Sequence, residues 1–229
     1  MFPTLLALDT STVACSAALL HNNSVIERFI TEPRQHAKCL LPFIESLLQE
    51  AHSDLSQCDA IAFGEGPGSF TGIRIAISVA QGLAFGSGKP VIPVSSLHIL
   101  AQSVYRLHQA ESVYVAVDAR MEEVYFAHYR LDKNTGLMQA VIQDCLLRPE
   151  EIPSSDDSTL HLAGDGWGVY LLLKEKAKQF PADRLHFDVF PHAHDLALLA
   201  ANLFLQGKVI DPQQASPVYL RDKVTHQPG

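Results

Sequence analysis

The run Gly64-Glu65-Gly66-Pro67-Gly68-Ser69-Phe70-Thr71-Gly72 is the segment most able to do chemistry in this 229-residue chain. A glycine-rich turn between strand and helix can cradle a phosphate with its backbone N–H groups. This run matches neither phosphate-binding form. It lacks G-x-x-x-x-G-K-[ST], and Gly64-x-Gly66-x-Gly68 is not G-x-G-x-x-G. Pro67 removes a donor and Glu65 would repel an anion. The plainer reading is a tight turn into a helix, with Ser69 or Thr71 as N-cap. Ser69 is not a nucleophile elbow, because Pro67 and Thr71 stand where G-x-S-x-G needs glycine. Asp9-Thr10-Ser11-Thr12 is a second candidate. An aspartate at a strand end beside hydroxyls can hold a magnesium-bound phosphate, as a vestigial phosphate loop, or can cap a turn; both readings stand. Eleven histidines raise the question of a metal. His192-x-His194 has strand-like spacing but follows Pro191 at a helix start, and neither H-x-x-x-H nor H-E-x-x-H occurs. No metal and no catalytic group is expected.

Charge and composition narrow the classes further. Lys and Arg total 17 against 25 Asp and Glu, a formal net charge of -8. A protein that grips nucleic acid alone needs the opposite surplus to displace counterions from phosphates. If the chain works on RNA, something else must hold the RNA. Cys15, Cys39, Cys58 and Cys145 form no C-x-x-C pair, which suits a reducing compartment. No apolar run reaches the roughly 18 residues of a membrane span. The opening Met1-Phe2-Pro3-Thr4-Leu5 has no basic region, and Asp9 interrupts the apolar stretch, so no signal peptide is expected. The expectation is a cytoplasmic protein without membrane contact.

The elements that must position these residues follow from hydrophobic period. Leu5 to Leu8, Cys15 to Leu20 and Val25 to Ile30 read as strands, with a turn at His21-Asn22-Asn23-Ser24. Residues 36–51 read as an amphipathic helix that Pro42 either kinks or delays. Ala60 to Phe63 and Val91 to Val94 are strands, while 70–85 and Ser96 to Tyr105 are helices. After a polar linker at 108–112, Val113 to Asp118 repeats the opening pattern, an apolar strand closed by an aspartate. Val124 to Tyr129, Val141 to Leu146 and Leu160 to Ala163 read as further strands, followed by helices near 167–178 and 193–206. Two tandem units of this kind imply a duplicated α/β fold, actin-like or ribonuclease-H-like, in two lobes. The first spans 1–109. The second spans 110–229, and its tail can pack back onto the first; the tail's end is expected to be loose.

One further signal is not catalytic. Gly72, Ala76, Ala80 and Ala84 recur every four residues along the helix 70–85, beside Ile73 and Ile77. Small side chains let another helix approach closely, and this helix is apolar on more than one face. The stripe is expected to meet a partner, with packing onto the chain's own sheet as the alternative.

At Gly66-Pro67-Gly68-Ser69-Phe70-Thr71-Gly72-Ile73-Arg74 the chain resembles the TsaB (YeaZ) family, bacterial partners of the tRNA threonylcarbamoyltransferase TsaD. The resemblance runs nearly end to end. It includes Leu8-Asp9-Thr10-Ser11, Arg34-x-His36, Leu40-Leu41-Pro42, Asp118-Ala119-Arg120-Met121-x-Glu123-Val124-Tyr125 and Pro217-x-Tyr219-Leu220-Arg221. TsaD shares the turn and helix and carries an H-x-x-x-H metal motif after the next strand. Ser96 and Leu100 fall at those ligand positions here, and His98 between them cannot chelate alone.

The resemblance implies a non-catalytic partner that works with TsaD and the ATPase TsaE to place threonylcarbamoyl on the adenosine next to the anticodon of tRNA. It implies pairing with TsaD, or with a second copy, through the first two helices. Arg34, His36, Leu40, Leu41 and Ile44 would then join Gly72, Ile73, Ala76, Ile77 and Ala80 at the interface. It implies no cofactor in the isolated chain, leaves a nucleotide at a complex interface open, and gives tRNA contact only through the complex. Two other functions compete. One is a metallopeptidase or glycoprotease, opposed by the missing ligands. The other is a stand-alone ATP-binding, kinase-like protein, opposed by a short second half that lacks a clear adenosine-binding glycine pair beyond Gly164-x-Gly166.

Overall fold

The computed structural model describes residues 3–221. Its first sheet is built from β1 (Leu5–Asp9), β2 (Cys15–His21), β3 (Ser24–Ile30), β4 (Ala60–Gly66) and β5 (Val91–Ser95), in the order β3-β2-β1-β4-β5. All five residues of β1 are buried, as expected of a strand covered on both faces. β1 runs antiparallel to β2, with Leu8 opposite Ala17, and parallel to β4, with Leu8 opposite Phe63. Asn22 and Asn23 close the β2–β3 hairpin with φ of 51° and 63°, which asparagine tolerates well. The helices of this half are α1 (His36–Glu50), α2 (Phe70–Ser87) and α3 (Ser96–His108). α1 is continuous through Pro42 and begins at His36, so its start is not delayed to the proline.

The second sheet holds β6 (Ser112–Arg120), β7 (Glu123–Asp132), β8 (Leu137–Leu147), β9 (Leu160–Ala163) and β10 (Leu185–His186), in the order β10-β9-β6-β7-β8. Read from the other edge, this is the order of the first sheet, with the same parallel and antiparallel pairings. The duplication is incomplete. Where α1 joins β3 to β4, the link from β8 to β9 has only a short turn at Pro149–Glu151. The helix expected over 167–178 is two pieces, α4 (Gly166–Val169) and α5 (Leu171–Ala177). Tyr170 separates them in an extended conformation, its hydroxyl drawn to Asp118 and to the Glu123 carbonyl. α6 (Ala193–Leu205) ends the helical part.

Burial sorts these elements into five layers. α1 and α2 cover one face of the first sheet, with Leu40, Ile44, Leu47, Ile73 and Ile77 against Leu6, Leu8, Leu19, Ile61 and Phe63. The other face, including Leu5, Ala7, Ala62 and Ile92, is covered by Leu196, Ala197, Leu199 and Ala200 of α6. Leu97, Leu100 and Val104 of α3 pack on Val113, Val115 and Ala127 of the second sheet. Trp167, Leu173 and Ala177 close its outer face. So α3 and α6 are exchanged: each lies on the sheet of the other half. The tail returns to the first half, where Ile210 pairs with Val91 and Gln81 donates to the carbonyls of Pro212 and Ala215. The end expected to be loose, 222–229, lies outside the described residues.

The layering overturns one expectation. Gly72, Ala76, Ala80 and Ala84 face the chain's own sheet, and Ala76, Ala80 and Ala84 have no exposed surface. Ala76→Arg would bury an unpaired cation in that layer and should destabilise the fold by about 4 kcal/mol or more. Ser78→Arg, on the exposed face of the same helix, should stay within about 0.5 kcal/mol of the parent. Chemical denaturation followed by circular dichroism distinguishes the two; equal stability of the variants would remove Ala76 from the core.

Candidate functional site

The turn after β1 and the first turn of α2 meet with almost no space between them. Ser69 caps α2, its hydroxyl accepting from Gly72 N–H at 3.3 Å, while its own N–H donates to the Ser11 carbonyl at 2.7 Å. The Thr10 hydroxyl donates to the Gly72 carbonyl at 2.7 Å. A Cβ on Gly72 would lie 1.9 Å from the Thr10 oxygen, and one on Gly68 2.4 Å from the Ser11 oxygen. The glycines of the motif are therefore spacers for backbone against backbone.

This contact shows how the candidate phosphate loop is held. Asp9, Thr10 and Ser11 do come together, but each is at most 1% exposed and turned inward. The Ser11 N–H and hydroxyl both donate to Asp9 Oδ1, at 3.0 and 2.9 Å. The Thr10 hydroxyl is spent on the Gly72 carbonyl, so the three side chains bond within the fold. Asp9 Oδ2 is buried beside Gly64 without a hydrogen-bond partner, and so is the hydroxyl of Ser96.

The positions compared with a metal motif are also in the core. Ser96 and Leu100 are each 2% exposed. His98 shares a 2.6 Å hydrogen bond with the Met138 carbonyl and stacks on Tyr129 at 4.7 Å, and burial lowers its pKa. His192 bonds Glu27 at 3.0 Å and stacks on Phe29. Among the described residues no three His, Cys, Asp or Glu side chains are arranged to hold a metal ion.

The interface residues expected from the sequence are divided by the fold. Leu40 and Ile44 of α1 are buried under the sheet, as are Gly72, Ile73, Ala76, Ile77 and Ala80 of α2; the close contact with Thr10 requires small residues on that side. These seven are corrected to core. His36 is half-buried and its Nε2 lies 3.0 and 3.1 Å from the carbonyls of Thr12 and Ala14, pinning α1 to the β1–β2 turn. Arg34 is exposed, with φ of 64°. Leu41 alone of the apolar set points outward, 53% exposed.

Leu41 belongs instead to a groove of about 400 Å³ between α1 and α2, whose walls include Ala37, Phe70, Arg74, Ile75 and Val79. Phe70 is 59% exposed, and the Arg74 guanidinium lies over its ring at 4.0 Å. The sequence signal for this face is the second apolar stripe of α2, Phe70-Ile75-Val79, beside Ala37 and Leu41 spaced one turn apart on α1. A second, larger cavity of about 800 Å³ separates the halves, between Gly68–Gly72 with Arg34 on one side and Val117–Arg120 with Asp165 on the other.

Comparison with known proteins agrees with this architecture. Residues 28–228 match the family described as TsaD, tRNA N6-adenosine threonylcarbamoyltransferase. The tRNA threonylcarbamoyladenosine biosynthesis protein TsaB of Haemophilus influenzae is 40% identical over 97% of this chain and 95% of its own. That of Escherichia coli is 38% identical over 96% and 95%. A crystal structure of YeaZ from Pseudomonas aeruginosa, 47% identical, superimposes with a TM-score of 0.86 over 95% of this chain and all of its own. No described helix is long and apolar enough to cross a membrane.

The buried carboxyl of Asp9 yields a pH test. Burial raises its pKa from 3.8 to about 6, against the two Ser11 hydrogen bonds and the His192 charge that lower it. The folded chain holds a proton there that the unfolded chain releases, so stability from this group is full at low pH and is lost as pH rises through about 6. Asp9→Asn keeps the acceptor for Ser11. Its advantage over the parent should grow by up to about 3 kcal/mol from about pH 3 to about pH 8. Denaturant melts at both pH values measure this, and a difference that does not change with pH would refute it.

Proposed function

Because the chain belongs to the TsaB family of tRNA threonylcarbamoyladenosine biosynthesis proteins, we propose that it acts as the non-catalytic partner of a TsaD chain in that modification. The observation that carries the reading is the apolar groove between α1 and α2. It leaves Leu41 and Phe70 exposed over a floor that includes the partly buried Ile75 and Val79, while the side chains of Asp9, Thr10 and Ser11 are spent on bonds within the fold. An open apolar face of this kind is what a second helical pair can cover, with the Arg74 charge at its edge giving direction.

TsaD supplies the chemistry in this reading, TsaE the nucleotide hydrolysis, and this chain a surface that stabilises the active assembly in the cytoplasm. The net charge of -8 fits a subunit that leaves the tRNA to others. A second copy of the chain would use the same groove when TsaD is absent, so homodimer and heterodimer exclude each other.

Leu41→Asp tests the groove without touching the core, since the side chain is half exposed. It should weaken TsaD binding at least about 30-fold, the 2 kcal/mol of a central interface residue. Leu205→Asp, more exposed still but on α6, should bind like the parent. Titration calorimetry gives the affinities. A reconstitution with TsaD, TsaE, threonylcarbamoyl-adenylate and tRNA gives the activity. Unchanged binding by Leu41→Asp, or full modification by TsaD and TsaE without this chain, would overturn the proposal.

A further inference from the structure

The tip of the β6–β7 hairpin holds the longest run of positive-φ non-glycine residues among the described residues. Arg120, Met121 and Glu122 have φ of 63°, 56° and 60°, three consecutive non-glycine residues in the left-handed region. Such residues persist only where their surroundings hold them. Asp118 supplies part of that hold, accepting the Arg120 N–H at 2.8 Å. The rest comes from Arg221, about a hundred residues away in the chain. Its guanidinium donates to the carbonyls of Ala119 and Arg120 at 3.1 and 3.2 Å, pairs with Glu123, and meets the Met121 sulfur at 2.7 Å.

The residues just before Arg221 are fastened elsewhere. The Val218 N–H donates to the Glu65 carbonyl at the end of β4, at 2.9 Å. The Tyr219 hydroxyl accepts from Nε and Nη2 of Arg74 at 3.3 and 2.9 Å, and its ring leans on Phe70 at 6.3 Å. Within four residues the chain therefore grips α2 of the first half with one end and the strained hairpin of the second with the other. The segment thus touches residues that line the interlobe cavity from both halves, Phe70 of the first and Ala119 and Arg120 of the second. Phe70 and Arg74, the contacts of Tyr219, also form a wall of the α1–α2 groove.

We propose that residues 217–221 form a clamp that couples the α1–α2 groove to the hairpin tip and the cavity between the lobes. The inference rests on the proposed docking of TsaD in the groove. A partner seated there bears on Phe70, Arg74 and Tyr219, and Arg221 carries the added restraint to residues 118–123. Coupling of this kind is reciprocal: a docked partner holds the hairpin, and an intact clamp favours the docked partner by the same factor.

Hydrogen exchange read by mass spectrometry, with and without TsaD, tests the clamp in the full chain. In the parent, TsaD should slow exchange in 70–79 by direct cover. It should also slow exchange in 118–123 by about fivefold or more through the clamp. In Arg221→Ala the slowing at 70–79 should remain and that at 118–123 should disappear. Should that variant fail to fold, Tyr219→Ala cuts the link from the other end at a half-exposed side chain and should give the same loss. Slowing confined to 70–79 in the parent overturns the clamp and leaves the docking reading intact. Slowing at 118–123 that survives both substitutions also overturns it, since the partner would then touch the hairpin directly. Slowing at neither segment overturns the docking reading together with the clamp.

Discussion

Backbone meets backbone where the β1–β2 turn lies against the first turn of α2, and the rest of the molecule is arranged around that contact. A single methyl group at position 72 would collide with the Thr10 carbonyl. The helix is thereby fixed close to the sheet with its alanines inward, and of its bulky apolar residues Phe70 and Phe85 are left exposed while Ile75, Val79 and Leu83 are partly buried along its flanks. The same closeness consumes the hydroxyls of Thr10 and Ser11. The groove lies on the other side of the helix, between α1 and α2.

The second half uses the same device. Gly164-Asp165-Gly166 follows β9 as Gly64-Glu65-Gly66 ends β4, and side chains at 164 or 166 would run into the Ala116 carbonyl of β6. Asp165 there accepts the Asp118 N–H at 3.0 Å, tying two strand ends of the repeat together. Between the halves lies a polar tie as well. Asp195 of α6, fully buried, accepts from Arg106 at 2.8 to 3.1 Å and from the Ser103 hydroxyl at 2.8 Å, both on α3. A buried carboxylate so fully bonded contributes less to net stability than to fixing one pairing of the two helices, since any shift would leave it unpaired.

Much of this was legible in the sequence, and the misreadings share a cause. Strand period and the echo of Leu8-Asp9 in Val117-Asp118 gave the duplicated order, because such signals are local. The division of α4 from α5 at Tyr170 was not legible, because it depends on a hydroxyl reaching Asp118, 52 residues earlier. β10, two residues long, carries no period at all. The stripe from Gly72 to Ala84 was visible, but small residues suit any close neighbour, and only the position of Thr10 shows that the neighbour is the chain itself. The open groove had its own signal in Phe70, Ile75 and Val79, which an all-round apolar helix obscured. The contacts of Tyr219 and Arg221 span about a hundred residues or more and leave no pattern in the sequence.

The exchange of α3 and α6 bears on how the molecule comes into being. The inner face of the first sheet is complete in sequence by Val94, yet the helix that covers it is made only at residues 193–205. During synthesis that apolar face must wait, uncovered, for roughly half of the chain to emerge. Neither half covers both faces of its sheet with its own helices, and the seating of α6 must wait until residue 205 has been made. A truncation before residue 193 would not leave a sound first lobe, but a sheet with one face bare to water and to other nascent chains.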